Sequence, residues 1–243
     1  MALPFFYKED ITTASEEIIL DEATSKHMVQ VLRMQNGSLL QLTNGNGDLF
    51  TCEITDDNRK KCLVKVNSEV KIQRAKTKTT IAISLLKNAN RFEWFLEKAT
   101  EIGVNEIIPL ICERTEKTTF KADRLKNILV SAMLQSQQCW LPDLHEPVQF
   151  DDWMMKQPAR PAGGFGNEGK YIAHCENEEN KRPLHLQITK SSNQLICIGP
   201  EGDFTKDEID LALKNIFVPV SLGNTRLRTE TAGVVAASLL RLI

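Results

Sequence analysis

Three short segments near the end of the chain decide the fold: IGPEGDF at residues 198–204, SLG at 221–223 and LRTETA at 227–232. The first two segments each begin in an apolar run and reach a glycine, which is typical of a strand that ends in a tight turn. A glycine turn that leads into a helix leaves main-chain amides free to bind a ligand. Two such turns close together therefore predict a binding site built largely from backbone groups.

Working outward from these segments, strand and helix patterns alternate from about residue 75 onward. The sequence predicts strands over residues 79–86, 106–111, 171–174, 194–198 and 218–222, and helices over 91–102, 123–138, 206–215 and 230–243. Gly103 is expected to end the first of these helices in a left-handed conformation. Thr205 and Glu208 form a capping-box pattern at the start of a later one. This alternation predicts an α/β domain with a mainly parallel sheet, which binds ligands at the carboxyl ends of its strands.

The first part of the chain has a different pattern, in which short alternating or β-branched runs are separated by turn residues. Such runs lie at residues 39–43, 49–54 and 62–66, with the turn sequence NGNGD at 44–48 and a predicted helix at 25–34. This spacing is typical of a small antiparallel barrel or sandwich. The sequence therefore predicts two domains, residues 1–73 and residues 74–243.

Composition limits the classes of function. The 243 residues carry a formal net charge of −2, which argues against a protein that coats nucleic acid through bulk positive charge but allows a local basic face. No run of about 18 apolar residues is present, so we expect no membrane-spanning helix. The six cysteines include no C-x-x-C pair and do not cluster with the four histidines, so we expect no metal site, no disulfides and a reducing cytoplasm.

Several ligand-binding motifs are missing from the chain. It contains no G-x-G-x-x-G after its first strand, no G-x-x-x-x-G-K-[ST] and no G-x-S-x-G, which argues against the usual dinucleotide, nucleoside triphosphate and hydrolase sites. A ligand that carries adenine and ribose without phosphates remains possible, because main-chain groups can bind it with few special side chains.

The closing segments, taken with other motifs in the same order along the chain, resemble the RsmE family of 16S ribosomal RNA uridine N3-methyltransferases. The additional motifs are His27, VLRM at 31–34, RFEW at 91–94, EKATEIGV at 97–104 and Gln135-Ser136. The resemblance implies an N-terminal PUA-like β-barrel and a C-terminal SPOUT α/β domain with a trefoil knot. It also implies S-adenosylmethionine as cofactor, 16S ribosomal RNA of the small ribosomal subunit as substrate, a homodimer and a cytoplasmic location.

The resemblance also assigns roles to residues. Cofactor contacts are expected from Ala173, His174, Cys175, Gly199, Pro200, Glu201, Gly202, Leu222, Gly223, Leu227 and Arg228. Arg228 is the candidate for orienting the base or stabilising its negative charge, and Glu201 or Glu230 is the candidate proton acceptor. Arg228 and Glu230 could instead form an ion pair that fixes the loop. RNA contacts are expected from Arg33, Lys87, Arg91, Arg114, Gln135 and Arg226, although solvated surface charges are an alternative for the basic residues.

The chain departs from the family pattern at three places. Asp203 stands where a second glycine usually precedes the aromatic residue, and Asp tolerates the left-handed backbone that such a turn requires. Leu3 and Pro4 stand where an arginine usually precedes the paired aromatic residues, and Thr225 stands at a usually basic position. Two other functions stay open: a knotted methyltransferase for another RNA or base atom, and a non-catalytic RNA-binding or ribosome assembly protein.

Overall fold

The computed structural model describes residues 3–12, 15–157, 168–176, 181–188 and 191–242. The chain divides into two compact units. One comprises Met1–Arg74 together with Met133–Leu141, and the other comprises Ala75–Ala132 together with Pro142–Ile243. The first unit thus takes in a segment from the middle of the chain, which the sequence boundaries of 1–73 and 74–243 do not include.

The first unit contains a five-stranded sheet. Its strands are β1 (Phe5–Tyr7), β2 (Glu17–Ile19), β3 (Leu39–Thr43), β4 (Asp48–Asp56) and β5 (Leu63–Lys71). They lie in the order β1-β3-β4-β5-β2, and every pair is antiparallel except β1 with β3. Alternate residues of the central strands, such as Leu42, Phe50 and Val64, are fully buried on one face. The alternating runs in the sequence predicted β3, β4 and β5, because side chains along a strand point to opposite faces, but they did not predict β1 and β2.

The helical segment between β2 and β3 differs from its prediction. Helix α1 (Glu22–Lys26) begins earlier than residue 25, because the carboxylate of Asp21 accepts the amide hydrogen of Thr24 at 2.9 Å and caps it. The chain then widens into a π-helix over His27–Val31 and stops short of residue 34. Arg33 has a left-handed backbone, φ 56°, so the right-handed helix cannot continue through this residue.

Trp140 is one of the residues through which the segment Met133–Leu141 contacts the rest of the first unit. The indole nitrogen of Trp140 donates a hydrogen bond to the carbonyl oxygen of Ile72 at 3.0 Å, and the Arg74 guanidinium lies 5.0 Å from the ring centroid. Gly47 lies so close to the ring that a side chain at this position would overlap it. Gly47 also has a positive φ of 89°, so both space and backbone conformation favour glycine here.

The second unit contains an eight-stranded sheet in which every pairing is parallel. Its strands are β6 (Lys78–Ser84), β7 (Glu106–Ile111), β8 (Asp143–Leu144), β9 (Val148–Gln149), β10 (Glu168–Ala173), β11 (Arg182–Pro183), β12 (Asn193–Ile198) and β13 (Val218–Ser221). They lie in the order β11-β13-β10-β12-β6-β7-β8, and β9 also pairs with β7. The predicted α/β fold with a mainly parallel sheet is confirmed.

Among the residues that the structure describes, six helices accompany this sheet: α2 (Ala89–Ile102), α3 (Ala122–Gln135), α4 (Phe150–Met155), α5 (Leu184–Gln187), α6 (Lys206–Lys214) and α7 (Thr229–Leu242). The predicted left-handed end of α2 at Gly103 is confirmed, with φ 90°, and so is the capping box of Thr205 and Glu208 on α6. The short helices α4 and α5 have no counterpart in the prediction, because one or two turns leave too few residues to show a periodicity.

Candidate functional site

A cavity of about 660 Å³ lies in the second unit, where the strands β10, β12 and β13 end. Three loops line it: residues 173–175 after β10, residues 198–203 after β12, and residues 220–229 between β13 and α7. Parallel neighbouring strands bring their carboxyl ends to one edge of the sheet, which explains why loops distant in sequence meet here. The volume lies within the range of small-molecule sites, about 300–1,000 Å³.

The loop after β12 turns tightly over Phe204. A side chain at Gly199 would place its Cβ 3.0 Å from the Phe204 ring and 3.1 Å from the Phe204 nitrogen, so this close approach favours glycine. Phe204 is buried and packs against Phe150, with ring centroids 5.1 Å apart. Asp203 completes the turn in the left-handed conformation, φ 66°, and its amide donates to the carbonyl of Pro200 at 2.9 Å.

Neighbouring segments of the second unit form hydrogen bonds with this loop. The Oε1 atom of Glu201 accepts a hydrogen bond from the main-chain amide of Lys87 at 3.2 Å. Arg114 donates from Nη1 to the carbonyl oxygen of Gly202 at 2.7 Å. The loop therefore has a defined position even though Glu201 and Gly202 are exposed.

The loop after β10 also lines the cavity. His174 is buried, and the amide of Cys175 donates to Oδ2 of Asp203 at 2.7 Å. The Lys181 ammonium donates to the carbonyl oxygens of His174, at 3.1 Å, and of Glu176. Burial, followed by the negative charge of Asp203, raises the pKa of the Cys175 thiol, so this cysteine is not an activated nucleophile. Sequence reasoning missed Lys181, because a single lysine with no motif around it gives no signal.

The segment between β13 and α7 completes the cavity. Gly223 has φ 136°, a conformation that favours glycine. Arg226 and Arg228 are both exposed and both line the cavity. Lys181, Glu201 and Asp203 also line the cavity, so side chains of both charges surround the site.

The predicted cofactor residues converge on this cavity with one exception. Gly202 is not among the lining residues, and a Cβ at its position would lie 3.2 Å from the Arg114 side chain. The predicted residues that line the cavity are Ala173, His174, Cys175, Gly199, Pro200, Glu201, Leu222, Gly223, Leu227 and Arg228.

The three predicted catalytic residues separate into two groups. Glu201 and Arg228 line the cavity, whereas Glu230 is buried outside its lining. In the structure Glu230 pairs with Arg91, with 3.6 Å between Oε1 and Nε, and not with the Arg228 of the alternative prediction. Among the described residues, the buried Oε2 atom of Glu230 has no hydrogen-bond partner.

The predicted RNA-binding residues are divided between the two units. Arg33 and Gln135 belong to the first unit and are exposed. In the second unit, Arg226 lines the cavity, while the Lys87 ammonium pairs with Glu116 at 2.6 Å. Arg91 and Arg114 also belong to the second unit, where both make the contacts given above.

Within the described part of the chain, no group of three or more His, Cys, Asp or Glu side chains is placed to hold a metal ion. The same residues include no helix that is long and apolar enough to cross a membrane. All six cysteines are free thiols.

Two known protein families match most of the chain. The model of an RNA methyltransferase domain family matches residues 73–241, and that of an RNA methyltransferase PUA domain matches residues 20–67. A relative in Rickettsia conorii, the ribosomal RNA small subunit methyltransferase E, is 29% identical over 228 residues, covering 91% of this chain and 89% of the relative.

Two solved structures are similar over nearly their whole length. A probable rRNA-methyltransferase from Porphyromonas gingivalis is 36% identical, with a TM-score of 0.89 and 99% of each chain covered. A methyltransferase structure from Legionella pneumophila, solved in complex with the cofactor SAM, is 29% identical with a TM-score of 0.82, covering 100% of this chain and 98% of the other.

Proposed function

The chain belongs to the RsmE family of RNA methyltransferases, and from this premise we propose that it methylates N3 of one specific uridine in 16S ribosomal RNA. It is an enzyme that depends on S-adenosylmethionine. The observation that supports the choice of site is the cavity at the ends of β10, β12 and β13, where two glycine turns and the start of α7 meet.

The cavity residues fit S-adenosylmethionine. The close approach of the chain at Gly199 and the positive φ of Gly223 both favour glycine. Glycines at these strand ends leave main-chain groups accessible, so adenine and ribose can be bound there without phosphate contacts. Lys181 and Arg226, which both line the cavity, supply positive charge for the carboxylate of the cofactor. When bound, the cofactor supplies an activated methyl group, and the chain's task is to position the acceptor and remove its proton.

We assign the removal of the N3 proton to Glu201 rather than Glu230. Glu201 is exposed in the cavity lining, and Lys87 holds one of its oxygens in place. Glu230 is buried against Arg91 and does not line the cavity. Arg228, exposed in the same lining, would orient the uracil ring and stabilise the charge that develops as the proton leaves. The N3 atom lies on the pairing edge, so the target uridine must be unpaired or flipped out of a helix.

The proposal extends to assembly, topology and location. A partly exposed stripe of α7, which includes Val234, Val235 and Leu239, supports a homodimer formed through this helix. We also propose a trefoil knot in the C-terminal SPOUT domain and a target within the small ribosomal subunit, both from the family. The free thiols support a reducing cytoplasm as the site of action.

The decisive experiment combines cofactor binding with mapping of the modified nucleotide. Calorimetry should detect S-adenosylmethionine binding, and the purified protein should restore N3-methyluridine to 16S ribosomal RNA from cells that lack the gene. No binding at millimolar cofactor would reject the enzyme reading and favour a non-catalytic RNA-binding protein. Persistence of N3-methyluridine in the deletion strain would instead indicate that the enzyme methylates another RNA or another base atom.

A further inference from the structure

Asp203 connects two walls of the cavity through one carboxylate. Its Oδ2 atom accepts the Cys175 amide at 2.7 Å, and its Oδ1 atom accepts the Phe204 amide at 2.9 Å. Cys175 lies in the loop after β10, whereas Asp203 and Phe204 lie in the loop after β12. The carboxylate therefore fastens one lining loop to the other.

The backbone at Asp203 is adapted to this contact. Its φ of 66° is left-handed, which is unfavourable for most residues with a side chain and is tolerated best by Asn and Asp. The two charge-assisted hydrogen bonds of the carboxylate offset this cost. A glycine would adopt the same backbone without strain, so the side chain can be removed without disturbing the turn.

We propose that Asp203 is a positioning residue, which sets the separation of the loops at 173–175 and 199–203 and so preorganises the cavity for S-adenosylmethionine. This inference rests on the proposed function, namely that this cavity binds the cofactor. Lys181 donates a hydrogen bond to the carbonyl oxygen of His174, the residue before Cys175. Two charged side chains, those of Asp203 and Lys181, thus hold the loop after β10.

Loss of this contact should affect binding more than chemistry. A cavity whose walls are no longer joined must order them when the cofactor binds, and this ordering weakens affinity. Once the cofactor is bound, the loops occupy the same positions as in the unaltered protein, so the rate at saturating cofactor should change little. A residue with a purely structural role would instead lower stability and leave the cofactor KM of the folded protein unchanged.

The test uses Asp203→Gly, Asp203→Asn and the matched control Gln137→Gly. Gln137 also has a left-handed backbone, φ 54°, but it is exposed and belongs to the first unit. Without cofactor, hydrogen exchange of the Cys175 amide should become about tenfold faster in Asp203→Gly, and the Kd for S-adenosylmethionine should rise about tenfold. Asp203→Asn keeps a single acceptor oxygen, so its exchange rate and its Kd should lie between those of the unaltered protein and those of Asp203→Gly. Gln137→Gly should leave both quantities unchanged.

The outcomes separate this inference from the proposed function. Unchanged exchange at Cys175 would show that the hydrogen bond does not constrain the loop, and an unchanged Kd would show that the constraint does not serve the cofactor. A fall in kcat at constant KM would overturn the positioning role in favour of a direct part in chemistry. If the unaltered protein failed to bind S-adenosylmethionine, the proposed function would fail, while the exchange measurement would still decide whether Asp203 joins the loops.

Discussion

At the scale of single residues, Glu201 combines access to the cavity with a fixed position, because its Oε1 atom accepts the Lys87 amide. The motif around it indicated a binding turn, but the sequence left Glu201 and Glu230 as equal candidates for the proton acceptor. Burial and contacts distinguish them, since Glu230 is bound to Arg91. Neither the Arg91 contact nor the Asp203 contact to Cys175 could be predicted, because each joins residues far apart in sequence.

We predict that Glu201→Gln lowers kcat about 100-fold, because the amide cannot accept the N3 proton. The variant should bind S-adenosylmethionine nearly as tightly as the unaltered protein, since its amide oxygen can still accept the Lys87 amide. Its rate should recover as the pH rises and more of the uridine ionises in solution. Steady-state kinetics over a pH series measures this.

The matched control is Asp207→Asn, which removes an exposed carboxylate in the first turn of α6. It should keep full activity over the same pH series. Full activity of Glu201→Gln at neutral pH would remove Glu201 from the reaction.

At the scale of secondary structure, the sequence predicted most elements of the parallel sheet, because buried strands form apolar runs and amphipathic helices show their period. Glu106–Ile111 was predicted with its observed bounds. The π-helix at His27–Val31 was missed. In so short a segment, the spacing of the apolar residues does not reveal the wider hydrogen-bonding pattern of a π-helix. The close packing at Gly233 was also missed, because the Phe95 ring that it contacts lies on another helix.

Gly233 is where helix α7 approaches helix α2. A Cβ at this position would lie 2.6 Å from the Phe95 ring and 2.9 Å from Ile83. We predict that Gly233→Ala destabilises the protein by about 1–3 kcal/mol, although alanine is the better helix former. Chemical denaturation measures the difference, and Phe95→Leu in the Gly233→Ala background should recover part of it. An increase in stability on Gly233→Ala alone would contradict the close packing.

Glu106, at the start of β7, predicts a pH dependence of stability. Burial disfavours its charge, but hydrogen bonds from Lys78 at 2.7 Å and from Thr80 at 2.7 Å outweigh this, and the contact to His145 at 2.8 Å adds to them, so its pKa is lowered. A carboxyl whose pKa is lower in the folded state stabilises the protein above its unfolded pKa and loses this effect as the pH falls through the folded value.

We therefore expect Glu106→Gln to cost about 2 kcal/mol at neutral pH, with the difference shrinking below about pH 4 as the unaltered carboxyl takes up its proton. Urea denaturation at a series of pH values measures it. Glu97→Gln on α2, a more exposed carboxylate, serves as the control and should change stability little at any pH. A difference that stays constant down to low pH would show that the charge of Glu106 is not responsible.

At the scale of the whole molecule, the outer stripe of α7 is where we expect a second copy to bind. We predict that Val235→Glu converts the proposed homodimer to a monomer, because the carboxylate would be buried in an apolar interface without a partner. Sedimentation velocity measures the change. Val218→Glu places the same substitution at an exposed valine on β13 and should leave the assembly intact. An undisturbed dimer in Val235→Glu would place the interface on another surface.

The inclusion of Met133–Leu141 in the first unit also affects the order of events during synthesis. The turn around Gly47 and the end of β5 have no Trp140 to cover them until residue 140 has been translated. At roughly 5–20 residues per second, the ribosome needs several seconds to pass from Arg74 to Leu141. The N-terminal sheet thus emerges first from the ribosome but is completed only after the nascent chain has produced α2, β7 and α3.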